Sequence, residues 1–367
     1  MDRSEYEKVI KACRFCLMCR HLCTVGNITY AETNTPRGQA LMLDCMGSEA
    51  LEDTAENRRR AAEVLFSCCY CGHCQSNCVS SYRHPDAIMA ARGNVAEEDL
   101  PETVKNVRTL IKQNGGIYEK GSQMTGKSDI LHTDVLLYIG TYARNEAPEV
   151  AEAAIDAFEK ADILYTLISH ENGTGVDAYL LGLNELAQHL LDDEIMKINA
   201  LNPERVVCLS PEDQRAFMGD IPGICAAALE TPVISFSSMA LELIKDGKLE
   251  PRESGKAVVA FHDGDQGGRF LHEYDTPREV IKALPGVEYM DLFWSGTEAA
   301  SAGESGAIRA INKELAEKIA GKRMDQIAGR GIGILITDSA EVKTQLNNLG
   351  NGETQIMHIA EFLNLRI

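Results

Sequence analysis

Long hydrophobic runs are missing from this sequence of 367 residues. Unbroken ones, such as Val135 to Ile139, are strand-sized, far short of the roughly 20 residues a membrane-spanning helix needs. The opening MDRSEYEKVIKAC has no apolar segment of the kind a secretory signal requires, so the chain reads as cytoplasmic, with no direct membrane insertion. Basic charge is in short supply. Lys and Arg number 36 against 55 Asp and Glu, for a net charge of −19 and a pI near 4.9, and such a surface would repel nucleic acid and anionic membrane alike. Nucleotide and catalytic motifs are lacking as well. Gly331-x-Gly333 and Asp263-Gly264-x-x-Gly267-Gly268 are glycine-rich, but neither is the G-x-G-x-x-G turn that cradles a pyrophosphate. There is no P-loop, nucleophile elbow or flavin fingerprint, so neither flavin, nucleotide nor catalytic residue is expected in this chain.

Cysteine, by contrast, is plentiful. Twelve in a chain of this kind point to metal or redox chemistry rather than disulfides. Cys13, Cys16, Cys19 and Cys23 form one C-x2-C-x2-C-x3-C run, and Cys68, Cys71, Cys74 and Cys78 form another. Three thiolates at two-residue intervals can occupy three iron corners of a cubane, while the fourth leads away to the other cluster. This assigns Cys13, Cys16, Cys19 and Cys78 to one [4Fe–4S] cluster, and Cys68, Cys71, Cys74 and Cys23 to a second, in one ferredoxin-like module. Thr24 and Val79 stand where bacterial ferredoxins continue with proline, which shapes the turn but supplies no ligand. The plainer alternative is a zinc-stabilised interaction protein, although zinc more often uses two separated C-x2-C pairs. Cys45, Cys69, Cys208 and Cys225 belong to neither run and read as small buried residues. Arg58-Arg59-Arg60 reads as a solvated helix face.

Around and beyond these runs the periodicity divides the chain. Residues 1–100 alternate cysteine runs with short helices, at 1–12, Ala40–Met46 behind Pro36, Thr54–Phe66 and Ala87–Glu97. Residues 101–133 are expected to be a linker, because Asn114–Ser128 is glycine-rich and without apolar periodicity. From Asp134 strands and helices alternate, which predicts parallel sheets covered by helices. Two series of similar length suggest an internal duplication, with α/β repeats at 134–250 and 251–367. The expected fold class is thus an α-helical two-cluster ferredoxin-like module followed by tandem α/β repeats with parallel sheets.

This order resembles the iron–sulfur subunits of glycolate oxidase, anaerobic glycerol-3-phosphate dehydrogenase and heterodisulfide reductase. Pro36-Arg37-Gly38 matches the segment those proteins carry between their cysteine runs, and His262-Asp263, Gly268-Arg269 and Tyr274–Glu288 are similar to the opening of their second repeat. The family's repeats normally carry a cysteine after the first strand, a Cys-Cys-Gly and a Cys-x-x-Cys, which in heterodisulfide reductases hold a non-cubane cluster. Here Thr141, Gly173-Thr174-Gly175, Ser210 and Asp213 stand at those places in the first repeat. In the second they are Asp265, Ala299-Ala300-Ser301, Ser339 and Val342. Hydroxyls and methyls do not replace a thiolate set, so the repeats are expected to hold no non-cubane cluster.

The resemblance implies an electron-transfer subunit in a hetero-oligomeric complex of anaerobic metabolism. Its two [4Fe–4S] clusters would exchange electrons with an FAD-dependent dehydrogenase or an electron-transferring flavoprotein. A catalytic heterodisulfide or thiol reductase with a rearranged site is the second reading. His262, Asp263 and Asp265, at a strand end, are read as helix-capping and turn residues, with a new metal or acid–base site as the alternative. His170-Glu171 is treated in the same way.

Overall fold

The computed structural model describes residues 3–118, 134–224, 229–350 and 352–367. Its first part is helical, with helices at Arg3–Ala12, Pro36–Gly47, Ala55–Ser67, His84–Gly93 and Glu102–Asn114. Their starts follow from capping chemistry. Pro36 occupies a first-turn position and the Thr35 hydroxyl accepts from Gly38 N at 3.2 Å; Thr54 caps the next helix by accepting from Asn57 N at 3.1 Å. Helix His84–Gly93 is buried along almost its whole length and packs against Arg3–Ala12 and Ala55–Ser67, so it forms the hub.

Glu102–Asn114 corrects the expected linker at 101–133. Val104, Val107 and Ile111 recur on one face and are buried, so this stretch is a packed helix rather than a tether. The later part of that stretch, 119–133, lies outside the described residues.

Two four-stranded parallel sheets follow. The first consists of β1 (Val135–Tyr138), β2 (Tyr165–Thr166), β3 (Arg205–Cys208) and β4 (Val233–Ser235), in the order β2-β1-β3-β4. The second consists of β5 (Ala257–Phe261), β6 (Val287–Tyr289), β7 (Ile334–Thr337) and β8 (Gln355–His358), in the order β6-β5-β7-β8. Register is fixed by pairs such as Tyr138 with Cys208 and Phe261 with Ile336. The shared order is what an internal duplication produces. Central strands such as β1 are buried throughout, as parallel strands covered by helices must be.

The sheets are joined by helices rather than by strand pairing. Pro148–Lys160 packs on Ile359–Asn364, and Phe236–Lys245 on Asp275–Lys282, forming one apolar core. A second core runs from the N-terminal helices through Tyr179 and Leu191 of the first repeat to Ile308 and Ile319 of the second. The cysteine-bearing segment is therefore seated on both repeats.

Candidate functional site

The two cysteine runs share one local conformation. Phe15 and Tyr70, each immediately before the second cysteine of its run, both lie in the left-handed region, with φ of 50° and 51°. For residues with a Cβ that conformation costs about 1–2 kcal/mol, and here it turns a backbone N–H back onto sulfur. Phe15 N donates to Cys13 Sγ at 3.3 Å, and the Tyr70 backbone lies near enough to Cys68 to offset part of the rise that its burial causes. The fourth thiols are held similarly: Gly26 N donates to Cys23 Sγ at 3.3 Å and Tyr82 N to Cys78 Sγ at 3.4 Å.

Thiols distant in sequence then meet. Cys23, Cys68, Cys71 and Cys74 line one cavity of about 360 Å³, walled by Pro36, Tyr70 and His84. Burial, followed by the charges of Cys71 and Cys68, raises the Cys23 pKa. On the other side, Cys13 is raised by burial and then by Cys78 and Cys16. Cys19 is pushed up to about 11 by burial and then by Cys13 and Cys16. Cys16 is exposed, Cys71 buried and the other six half-buried, and Cys74 is raised by burial, then by its own run and by Cys19 as well. The cationic core of an iron–sulfur cluster would deprotonate thiols grouped in this way. The donor set fits such a group. Among the described residues no three thiol, imidazole or carboxylate groups converge on a single metal ion; cubane thiolates sit on different irons and stand further apart.

Three arginines fasten these runs through their carbonyl oxygens. Arg37 donates from Nε to Phe15 O at 2.7 Å and from Nη1 to Glu32 Oε1 at 2.6 Å. Gly38 beside it has no room for a side chain, since a Cβ there would lie 1.9 Å from Glu32 O. Arg92, fully buried, donates to Cys68 O at 2.6 Å, Leu65 O at 3.1 Å and Leu180 O at 2.7 Å. Arg269 donates to Cys71 O at 2.6 Å and is paired with Asp265.

A neutral hydrogen-bonded chain runs from the wall of the Cys23 cavity to Tyr82, whose backbone N–H reaches Cys78. The Gln39 amide donates to Val64 O, so its oxygen accepts from His84 Nε2 at 2.7 Å, leaving His84 Nδ1 to accept from the Tyr82 hydroxyl at 3.2 Å. Burial lowers His84 to about 3, which keeps it uncharged.

Several places in the missing cysteine motifs hold side-chain oxygens that meet, while Gly173, Ala299, Ala300 and Val342 offer none. In the first repeat Thr174 donates to Asp213 Oδ1 at 2.6 Å; in the second Ser301 donates to Asp265 Oδ2 at 2.5 Å. Ser210 and Ser339 cap helices, accepting from Asp213 N and Val342 N at 3.4 Å. Thr141, Thr174, Ser210, Asp213 and Ser339 line a cleft between the repeats, and Tyr70 lines both this cleft and the cavity of Cys23. Its walls include Asp177, Glu212 and Glu341, which the sequence did not single out. Burial raises all three, Asp177 to about 6.

The remaining candidates are structural. Asp263 is gripped by Arg278 at 2.6 and 2.8 Å and by Gly296 N at 2.7 Å, while His262 Nδ1 accepts from Arg323 at 3.2 Å. Glu171 accepts from Ile139 N and Gly140 N, at 3.0 and 2.7 Å, and pairs with Arg144. Arg58 binds Asp53 and Asp99, and Arg60 binds Glu56, on a largely exposed face. Cys69 and Cys208 are buried and Cys45 half-buried; Cys225 lies outside the described residues. The glycines of 264–268 enter a π-helical turn, Asp265–Phe270, not a nucleotide-binding turn. No described helix is long and apolar enough to cross a membrane.

No family profile matches the chain. Among curated proteins it is 22% identical to the "Probable iron-sulfur-binding oxidoreductase FadF" of Bacillus subtilis, over 72% of this chain and 40% of that one. It is 24% identical to the EtfAB:quinone oxidoreductase of Syntrophomonas wolfei, over 70% of this chain and 36% of that one. It is 22% identical to one subunit of the dihydromethanophenazine:CoB–CoM heterodisulfide reductase of Methanosarcina acetivorans, over 71% of this chain and 66% of that one. The chain therefore spans less than half of the first two. Its curated relatives are iron–sulfur and heterodisulfide-reductase oxidoreductases, the group its cysteine runs and tandem repeats resemble.

Proposed function

We propose that this chain is the electron-transfer iron–sulfur subunit of an oxidoreductase complex, relaying electrons through two [4Fe–4S] clusters to or from an FAD-dependent dehydrogenase or an electron-transferring flavoprotein. What supports the reading is where the fourth cysteine of each run lies. Cys23 shares a cavity with Cys68, Cys71 and Cys74, and Cys78 stands within electrostatic reach of Cys13. When bound, each cluster supplies a one-electron couple whose charge is spread over its irons and sulfurs.

The rest is the work of the chain's own residues. Phe15, Gly26 and Tyr82 donate backbone N–H groups to sulfur, which favours the thiolate over the thiol. Arg37, Arg92 and Arg269 fix the runs through their carbonyls and place positive charge beside anionic centres. His84, neutral and hydrogen-bonded to Gln39 and Tyr82, lines the cavity of Cys23 without adding a charge there.

The cleft between the repeats favours one second reading, a catalytic reductase whose site is built from carboxyls and hydroxyls. Iron, zinc and acid-labile sulfide measured on anaerobically purified protein, with EPR after dithionite reduction, test the proposal. About eight irons and eight sulfides, falling to about four of each in Cys78→Ala and in Cys23→Ala, support the relay. Zinc in place of iron overturns it. A third iron centre surviving the loss of all eight ligands supports the reductase.

A further inference from the structure

Acidic residues are absent within the cysteine runs themselves, although Glu7 and Glu32 border the first, Glu32 pairing with Arg20 and Arg37, and Glu298 reaches His73 and Asn77 of the second. From Lys8 to Ala31, across the first run, the sequence holds Lys8, Lys11, Arg14 and Arg20 and no acidic residue. From Val64 to Pro85, across the second, it holds Arg83 and again no acidic residue, in a protein of net charge −19. Lys8, Lys11 and Arg14 are exposed. So is Cys16, and the two side chains that follow it, Leu17 and Met18, are 63% and 52% exposed. Val79, next to Cys78, is 80% exposed. Val79 follows Cys78 in the second run, which meets the first around His21, Leu22, Thr24 and His73. Cys23, Cys68, Cys71 and Cys74 line the cavity walled by Pro36, Tyr70 and His84.

We propose that the face formed by Leu17, Met18 and Val79 around Cys16, flanked by Lys8, Lys11 and Arg14, docks a separate electron-carrier protein whose cofactor edge is ringed by acidic side chains. The inference rests on reading Cys13, Cys16, Cys19 and Cys78 as cluster ligands. Exposed apolar groups inside a charged rim are the make-up of a transient interface, and opposite charge speeds encounter and sets orientation. The acidic repeats would repel the same partner, which confines its docking to this face. One electron crosses per encounter: the carrier is oxidised by one unit and the cluster reduced by one, or the reverse. No bond or proton changes hands.

The test uses the holoprotein and a plant-type [2Fe–2S] ferredoxin, an acidic carrier, mixed anaerobically in a stopped-flow instrument in whichever redox direction runs downhill. The rate constant is expected to fall about tenfold or more from low to high salt. It is also expected to fall about tenfold at low salt in Met18→Glu and in Lys8→Glu/Lys11→Glu, the latter outside the cysteine run, with iron content and EPR spectra unchanged. Rates indifferent to salt and to both variants, or rising with salt, at full iron content would overturn the docking face and leave the cluster reading intact. Absence of iron from the wild-type protein would remove the reading beneath it.

Discussion

Arg269 donates from Nε to the carbonyl oxygen of Cys71 at 2.6 Å, joining two residues 198 positions apart. Its Nη1 reaches Ala299 O at 2.7 Å and its third nitrogen pairs with Asp265, so one buried guanidinium ties the second cysteine run to the second repeat. Arg269→Met would leave the Asp265 carboxylate buried without its cation, a loss of about 3–5 kcal/mol. The expected result is a lowered denaturation midpoint together with loss of iron from the set containing Cys71. Arg269→Lys, which keeps the charge but not the fork, is expected to fall between wild type and Arg269→Met. Full stability and full iron in Arg269→Met would show that the anchor is dispensable.

This anchoring was not legible in the sequence, whereas the thiols it holds were. Cys13 to Cys23 and Cys68 to Cys78 announce themselves by spacing, which local chain geometry dictates. The alternation that predicts β1 to β7 is equally local. Arg37 and Arg269 lie in the Pro36-Arg37-Gly38 and Gly268-Arg269 segments that the sequence singles out. Their partners, like that of Arg92, stand 22, 198 and 24 residues away, and no local pattern names those partners. Helix Glu102–Asn114 was obscured by the glycines that follow it, although Val104, Val107 and Ile111 carry its period. Asp177, Glu212 and Glu341 come from both repeats and become neighbours of one cleft only when the duplicated units pack.

Buried carboxyls set a pH dependence. Burial, the leading cause in each case, pushes Asp213 and Asp338 up to about 8. A carboxyl with a higher pKa folded than unfolded keeps its proton longer in the folded state, so stability declines from about pH 4 until pH passes the folded value. His84 and His358 oppose this, because burial holds both down to about 3 and stability is lost as pH falls below about 6.5. Between about pH 6.5 and 8 the histidines are neutral in both states and the carboxyls act alone. Stability is expected to drop over that window by about 1–2 kcal/mol for each carboxyl. In Asp213→Asn, whose amide oxygen can still accept from Thr174, the slope of melting temperature against pH should be shallower. An unchanged slope would show that Asp213 is already ionised.

Gly306 marks where the second repeat meets the second cysteine run. Its φ is +77°, and a Cβ there would lie 2.6 Å from the backbone carbonyl carbon of Cys69. Its own carbonyl accepts from Arg92 at 3.3 Å. Gly306→Ala combines left-handed strain with a clash against backbone that cannot rotate away, and is expected to cost about 2 kcal/mol or more. Gly329→Ala is the matched control: its φ is +70° but nothing lies within 4 Å of the added carbon, so the strain acts alone. Thermal melts of the two holoproteins should therefore separate, with iron lost only from Gly306→Ala.

Cys69 sits among the proposed ligands without belonging to either set. The Cys71 sulfur and then burial raise the Cys69 thiol, while Cys69 in turn lowers Cys71, the pattern expected were Cys69 to donate to a Cys71 thiolate. A donor at a cluster sulfur stabilises the more negative, reduced state. Cys69→Ala should thus retain about eight irons while the potential of its cluster moves negative. If that bond strengthens on reduction by about 1 kcal/mol, the shift is about 40 mV for one electron. Cys69→Ser, which still offers a hydroxyl proton, should recover part of it. Redox titration followed by EPR reads both variants. A fall to about four irons in Cys69→Ala would instead make this residue a ligand and displace Cys68 or Cys71 from the assignment.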